Sequence, residues 1–186
     1  MMDSLVFVTS NPGKAQEASR LLGRPITAMQ IEIPEIQAVE FGEVVAQKAV
    51  DAARWLGKPV LVEDSGLEIA AWSNFPGALT KWVTKSVGEA GLVRMLTPFG
   101  NRQAVAVSVL GVAWPGIPPE AVPVVEGRVS GTIATAPRGT NGFGWDVIFI
   151  PDGDTRTFAE MPPADKDARS HRGRAFAALK KTLETL

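Results

Sequence analysis

The stretch Pro59-Val60-Leu61-Val62-Glu63-Asp64-Ser65-Gly66-Leu67 constrains the fold more than any other part of the chain. Its apolar, mostly β-branched core behind a proline reads as a short strand buried on both faces. Two adjacent carboxylates follow where that strand is expected to end, and Ser65-Gly66 is expected to turn the chain. Ligands of α/β sheets bind at strand ends, which makes Glu63 and Asp64 candidates for chemistry. A solvated acidic turn is the plain alternative. Neighbouring strand residues point to opposite faces, so the two carboxylates share a task only if the turn begins between them.

The flanking pattern alternates strands and helices. Residues 4–9 form an apolar strand, and Ser10-Asn11-Pro12-Gly13 leads into a helix over 14–22 stopped by Gly23. Strand, small-residue loop and helix together aim backbone N–H groups and a positive helix end at an anion. Thr9, Ser10 and Asn11 add side-chain donors. Lys14 in the first helical turn is unfavourable unless an anion offsets it, whereas an ordinary capped turn would need none of this. A second strand is expected over 26–33, a polar loop over 35–40, and an amphipathic helix over 43–56 ended by Gly57 and Pro59. After a turn at Asn74-Phe75-Pro76-Gly77 come a short helix carrying Lys81 and Trp82 and another over 88–96. Residues 104–114 are apolar on both faces, as in a strand covered on both sides. Four prolines within 115–123 mark an exposed connection, and 124–136 is expected to pair back as a hairpin at the sheet edge. A final helix from Ser170 carries the apolar stripe Ala175, Phe176, Leu179 and Leu183.

Composition excludes several functions. The 186 residues are expected to form a single domain, 1–186, with a sizeable core. A net charge of −1 leaves no basic excess for a nucleic acid polymer. With no cysteine there is no disulfide, thiol nucleophile or cysteine metal site, which fits a reducing cytoplasm. The opening residues lack a basic leader and no apolar run is long enough to span a membrane, so a cytoplasmic protein is expected. The only histidine, His171, excludes a histidine-pair zinc site, and no nucleophile elbow supports a Ser-His-Asp triad. Carboxylates remain as metal ligands, which favours Mg²⁺ or Mn²⁺.

Three later stretches add candidates. Gly139-Thr140-Asn141-Gly142-Phe143-Gly144-Trp145-Asp146 presents two aromatic rings on a glycine-rich loop, suited to stacking a base or to joining the core. Thr157-Phe158-Ala159-Glu160-Met161 is a short strand or turn with one carboxylate. Lys166 precedes Ser170-His171-Arg172, where Ser170 is a plausible N-cap. His171 and Arg172 then fall in a first helical turn, which again calls for an anion. A lone histidine is otherwise structural or exposed, but its neighbours favour ligand contact.

With these pieces the sequence resembles the inosine triphosphate pyrophosphatase family. The matching motifs are Phe7-Val8-Thr9-Ser10-Asn11-Pro12-Gly13-Lys14 with Glu17, then Val62-Glu63-Asp64-Ser65-Gly66-Leu67, then Phe75-Pro76-Gly77. Gly142-Phe143-Gly144-Trp145-Asp146, Thr157-Phe158-Ala159-Glu160-Met161, and Lys166 with Ser170-His171-Arg172-Gly173-Arg174-Ala175 follow in family order. The resemblance implies an α/β fold with a long mixed central sheet flanked by helices, in two lobes with an active-site cleft between them, as a homodimer. It implies Mg²⁺-dependent hydrolysis of non-standard purine nucleoside triphosphates (ITP, dITP, XTP) to the monophosphate and pyrophosphate, with Mn²⁺ able to substitute. Carried over by position, it implies that Thr9, Ser10, Asn11 and Lys14 hold the triphosphate and that Asp64 is the catalytic carboxylate, with Lys14 assisting. Ser65, Phe143, Gly144, Trp145 and Asp146 would join the substrate site, Phe143 and Trp145 flanking base and sugar. Lys166, Ser170, His171 and Arg172 would recognise base and phosphate.

Two positions depart from the family pattern. Val39 stands where an acidic metal ligand is expected, so Asp64 would be helped by Glu40, one residue late, or by Glu63. Val147 replaces a proline common after Asp146. A nucleotide-binding regulator without turnover, or a pyrophosphatase for other modified bases, would keep the same pockets. Metal-dependent turnover and a substrate panel separate these readings.

Overall fold

The computed structural model describes residues 5–185; Ser4, counted in the first expected strand, lies outside them. Val6–Val8 (β1) is buried throughout and pairs in parallel with Val60–Ile69 (β3) on one side and with Ala28–Met29 (β2) on the other. Gln103–Ala113 (β5) and Val124–Ile133 (β6) continue the sheet antiparallel, and Phe149–Pro151 (β7) closes it, in the order β2-β1-β3-β5-β6-β7. Pro76–Gly77 (β4) pairs with β3 off this path. The sheet is mixed, long and flanked by helices, as expected.

Three strand expectations change. β3 does not turn at Ser65-Gly66 but runs on to Ile69, since every residue from Val60 to Ile69 is paired with β5, Val60 opposite Ala113 and Ile69 opposite Ala104. That continuous ladder outweighs the local turn preference of Ser-Gly, and Gly66 is required because a Cβ there would overlap the Gly77 carbonyl and the Thr80 hydroxyl. The second strand shrinks from 26–33 to Ala28–Met29, because its one partner among the described residues, β1, is itself three residues long. β6 is not the sheet edge; β7 pairs outside it, with Ile133 opposite Phe149.

Helix boundaries follow their caps. Pro12–Leu22 (α1) starts on Asn11 and ends at Gly23 with φ 71°. Phe41–Leu56 (α2) ends at Gly57 with φ 61°. Thr80–Leu96 (α3) is two helices meeting at Gly88, whose φ of 71° and ψ of 170° break the run where the sequence predicts a second helix to begin. Pro163–Arg169 (α4) precedes His171–Thr185 (α5), and the Ser170 hydroxyl accepts from Gly173 N at 3.0 Å as the N-cap.

The β3 alternation decides which face each carboxylate meets. Val60 and Val62 pack with α2 residues Val45, Ala49 and Ala53 on one face. Leu61 packs with Phe7, Phe176 and Leu179 on the other, under α1 and α5. The far half of the long strands, Leu67, Ile69, Ala104 and Val129, packs with Leu92, Leu96, Phe149 and Phe158. Each large apolar side chain buried in these layers contributes about 1.5–3 kcal/mol. β1 pairs with β3 up to Val62, and β4 takes up the same edge from Leu67. Residues 63–66 lie in the gap between these two partners, and there the sheet opens into a cleft.

Candidate active site

The cleft has a volume of about 370 Å³, within the range of small-molecule sites. Asp64 and Ser65 form its floor; Thr9, Ser10, Asn11 and Lys14 line it from the β1–α1 junction. Glu35 and Lys48 enter from the α2 side, Lys81 and Thr84 from α3, and Phe143, Gly144 and Trp145 from the glycine-rich loop. Three ammonium groups thus converge on a carboxylate floor.

Asp64 Oδ1 accepts from the Ser65 amide at 2.8 Å. Burial pushes the Asp64 carboxyl above its ordinary range, although Lys14 and Lys48 pull the other way. Burial likewise lowers Lys14, opposed by Glu63 and Asp64. Lys48 Nζ donates to Glu35 Oε1 at 2.6 Å and to the Glu63 carbonyl at 3.4 Å. Burial acts to raise Glu35, but Lys48 outweighs it and holds the carboxyl below its usual value.

The α1 N-terminus differs from the expectation of amides free for an anion. Asn11 Oδ1 accepts from Gly13 N at 2.9 Å and Lys14 N at 3.4 Å, while the Asn11 amide donates to Thr9 Oγ1 at 3.1 Å. The cleft is therefore offered ammonium groups and side-chain donors more than helix-end amides.

A second cluster lies behind Phe143. Arg172, 1% exposed, donates from Nε to Glu63 Oε1 at 2.9 Å and Oε2 at 3.1 Å, and from Nη1 to Glu17. Ser108 Oγ donates to Glu63 Oε1 at 2.9 Å. Lys166 Nζ donates to Glu17 Oε1 at 2.7 Å and Asp146 Oδ2 at 2.6 Å. Burial would raise Glu17 and Glu63, but their cationic partners win and hold both below the usual carboxylate range. For Asp146 burial wins and the carboxyl is raised. The anion that Arg172 called for is supplied by the protein's own carboxylates, and Lys166 is paired in the same way.

His171 is buried against Trp145, ring centroids 4.9 Å apart, and both its ring nitrogens are without a hydrogen-bond partner. Burial, reinforced by Arg172, Lys166 and Lys14, pushes it well below the usual histidine value, so it is neutral and not the cation considered from sequence.

The set of residues expected from sequence thus divides. Thr9, Ser10, Asn11, Lys14, Asp64, Ser65, Phe143, Gly144 and Trp145 line the cleft together. Asp146, Lys166, Ser170, His171 and Arg172 are buried outside its lining. The two candidates for completing the metal set sit differently. Glu40 is exposed at the start of α2, outside the cleft lining, because the Val39 carbonyl accepts from Ala78 N at 3.0 Å and the chain then turns into the helix. Glu63 reaches the cleft, but both its oxygens are engaged by Arg172 and Ser108 on the opposite face from Asp64. Sequence reasoning missed Glu35, Lys48 and Lys81 as site residues. Glu35 sat in a loop read only as polar, and Lys48 fell within the helix expected over 43–56, where a lysine among apolar residues was the available signal.

A carboxylate-floored, lysine-rimmed cleft with a paired aromatic wall defines a class of protein built to handle a polyanion attached to a flat group. More particularly, the chain belongs to the Ham1 family, whose model matches residues 5–182. It is 43% identical over 175 residues to a dITP/XTP pyrophosphatase of Thermococcus kodakarensis, covering 92% of each chain. It is 43% identical to an inosine triphosphate pyrophosphatase of Yarrowia lipolytica, covering 95% of this chain and 94% of that one. A HAM1 protein structure from Coxiella burnetii superposes with a TM-score of 0.80 at 31% identity, covering 98% of this chain and 100% of that chain.

Proposed function

We propose that this protein is a single-domain enzyme that hydrolyses non-standard purine nucleoside triphosphates, ITP, dITP and XTP, to the monophosphate and pyrophosphate. The observation that carries the reading is the convergence of Lys14, Lys48 and Lys81 around Asp64, beside Phe143 and Trp145. The names of the Thermococcus and Yarrowia relatives support the substrate class.

In this reading Lys14, Lys48 and Lys81, with Thr9, Ser10 and Asn11, bind the triphosphate and offset charge on the departing pyrophosphate. Asp64 orients an in-line water at the α-phosphorus and accepts its proton. Its raised pKa brings it closer to the operating pH, where a general base is most effective. The donor set fits Mg²⁺. Asp64 and Glu35 line one cleft, and among the described residues no group of three or more His, Cys, Asp or Glu forms a closed cage. Mg²⁺ is commonly held by one or two carboxylates with substrate phosphates completing the shell. When bound, it would supply charge neutralisation at the phosphates, Mn²⁺ substituting. Lys166, Ser170 and Arg172 lie buried outside the cleft lining, Lys166 and Arg172 behind Phe143, and once that ring moves would offer donors to the 6-carbonyl of hypoxanthine or xanthine, where adenine carries a donor of its own.

A cytoplasmic homodimer belongs to the same proposal. The absence of cysteine supports the compartment, and sedimentation velocity checks the dimer. Asp64→Asn tests the catalytic assignment: the variant should fold and lose at least about a thousandfold in kcat on ITP. Turnover within tenfold of wild type would remove Asp64 from the role.

A further inference from the structure

Resting on that reading, we infer that Phe143 is a gate over the base-recognising cations and that Gly13, which touches no reacting atom, is the positioning residue that seats it. The Phe143 ring borders the catalytic cleft on one side and a neighbouring cavity, lined by Gly13, Glu17 and Lys166, on the other. Lys166 Nζ lies 4.9 Å and the Arg172 guanidinium 5.2 Å from its ring centroid. Both cations are at most 2% exposed, and His171 and Asp146 at most 3%. A base entering from the cleft meets these groups only after the ring moves.

The seat is specific to glycine. A Cβ at Gly13 would overlap Phe143 Cδ1 and lie 2.7 Å from Cε1, closer than real contacts allow. Gly13 stands in the first turn of α1, where alanine suits the backbone. A methyl group there therefore acts on the ring's closed position and leaves helix geometry alone. The swing is one of the ring on a held backbone: Thr140 N and Asn141 N donate to the Ala159 carbonyl at 3.1 and 2.9 Å, and Phe143 N donates to Asp146 Oδ2 at 2.8 Å, so the side chain turns while the loop stays in place. Cation–π contact and the flat glycine seat favour closure. A site open for only a fraction of the time binds more weakly by that fraction.

The test is Gly13→Ala, followed by steady-state kinetics on ITP and by acylation of lysines with an N-hydroxysuccinimide ester, read by peptide mass spectrometry. Relative to wild type, KM for ITP should fall about threefold or more at unchanged kcat, and Lys166 labelling should rise several-fold against exposed Lys58. Pyrophosphate inhibition should be unchanged, since the phosphate side of the cleft is untouched. An unchanged or raised KM overturns the gate. If wild type fails to hydrolyse ITP, the functional reading fails, and Lys166 labelling alone decides the gate. Gly13→Ser carries the same Cβ and replaces Gly13→Ala should circular dichroism show that variant unfolded.

Discussion

Glu63→Gln separates two roles that the sequence left open. As a metal ligand, Glu63 would matter to Mg²⁺ and little to folding. As a buried anchor, it holds a guanidinium that is 1% exposed, through contacts of 2.9 and 3.1 Å, and also accepts from Ser108 at 2.9 Å. Glutamine retains one acceptor for these donors and turns its amide hydrogens toward the rest. Arg172 keeps Glu17 but loses half of its buried countercharge. Removing one partner of a buried pair typically costs about 3–5 kcal/mol; the retained acceptor puts this case near 3 kcal/mol. For a domain of this size that is roughly 6–12 °C in Tm. Thermal unfolding by circular dichroism gives the shift, and a Mg²⁺ titration of initial rates gives the metal dependence. The expected result is the Tm loss with half-saturating Mg²⁺ unchanged within twofold. A Tm within 2 °C of wild type with a tenfold higher Mg²⁺ requirement would refute the anchor and restore Glu63 as a ligand.

Two further outcomes follow from buried polar groups. Thr80 Oγ1 accepts from Leu67 N at 2.8 Å and donates to the Gly77 carbonyl at 2.7 Å, tying α3 to the far part of β3. Thr80→Val keeps the shape and strands both partners, so unfolding free energy should drop by about 1–3 kcal/mol in urea; no change would mean that the pairing is dispensable. Glu17 and Glu63 have folded pKa values held below their unfolded ones, so their stabilisation is complete above the ordinary glutamate value and lost as pH falls below it. Asp64 and Asp146, raised by burial, act in the opposite sense. Tm should therefore fall between about pH 5 and pH 3, less steeply in Glu63→Gln than in wild type; equal slopes would contradict the assignment.

What the sequence made legible was local. Ser170 as a cap, Gly23 and Gly57 as stops, and the break at Gly88 are each decided by one residue's backbone chemistry. The alternation of β3 also placed Glu63 and Asp64 on opposite faces, as a period of two requires. What stayed hidden depends on partners distant in the chain. Ser65-Gly66 looks like a turn until Val107 and Ser108 are laid beside it. Lys14 and Arg172 each call for an anion, but whether a ligand or a buried carboxylate answers is set by contacts distant in the chain, such as Arg172 with Glu63. Glu35 lines the cleft beside Lys48, which reaches back to it from α2.

The measurement closest to the central claim is hydrolysis of ITP in H₂¹⁸O with Mg²⁺, with ³¹P NMR and mass spectrometry of the products. Attack at the α-phosphorus above Asp64 predicts inosine monophosphate carrying one ¹⁸O and unlabelled pyrophosphate. Label in pyrophosphate, or diphosphate with labelled orthophosphate, would put the water at another phosphorus and contradict the placement of Asp64 and Lys14 about the α-phosphorus.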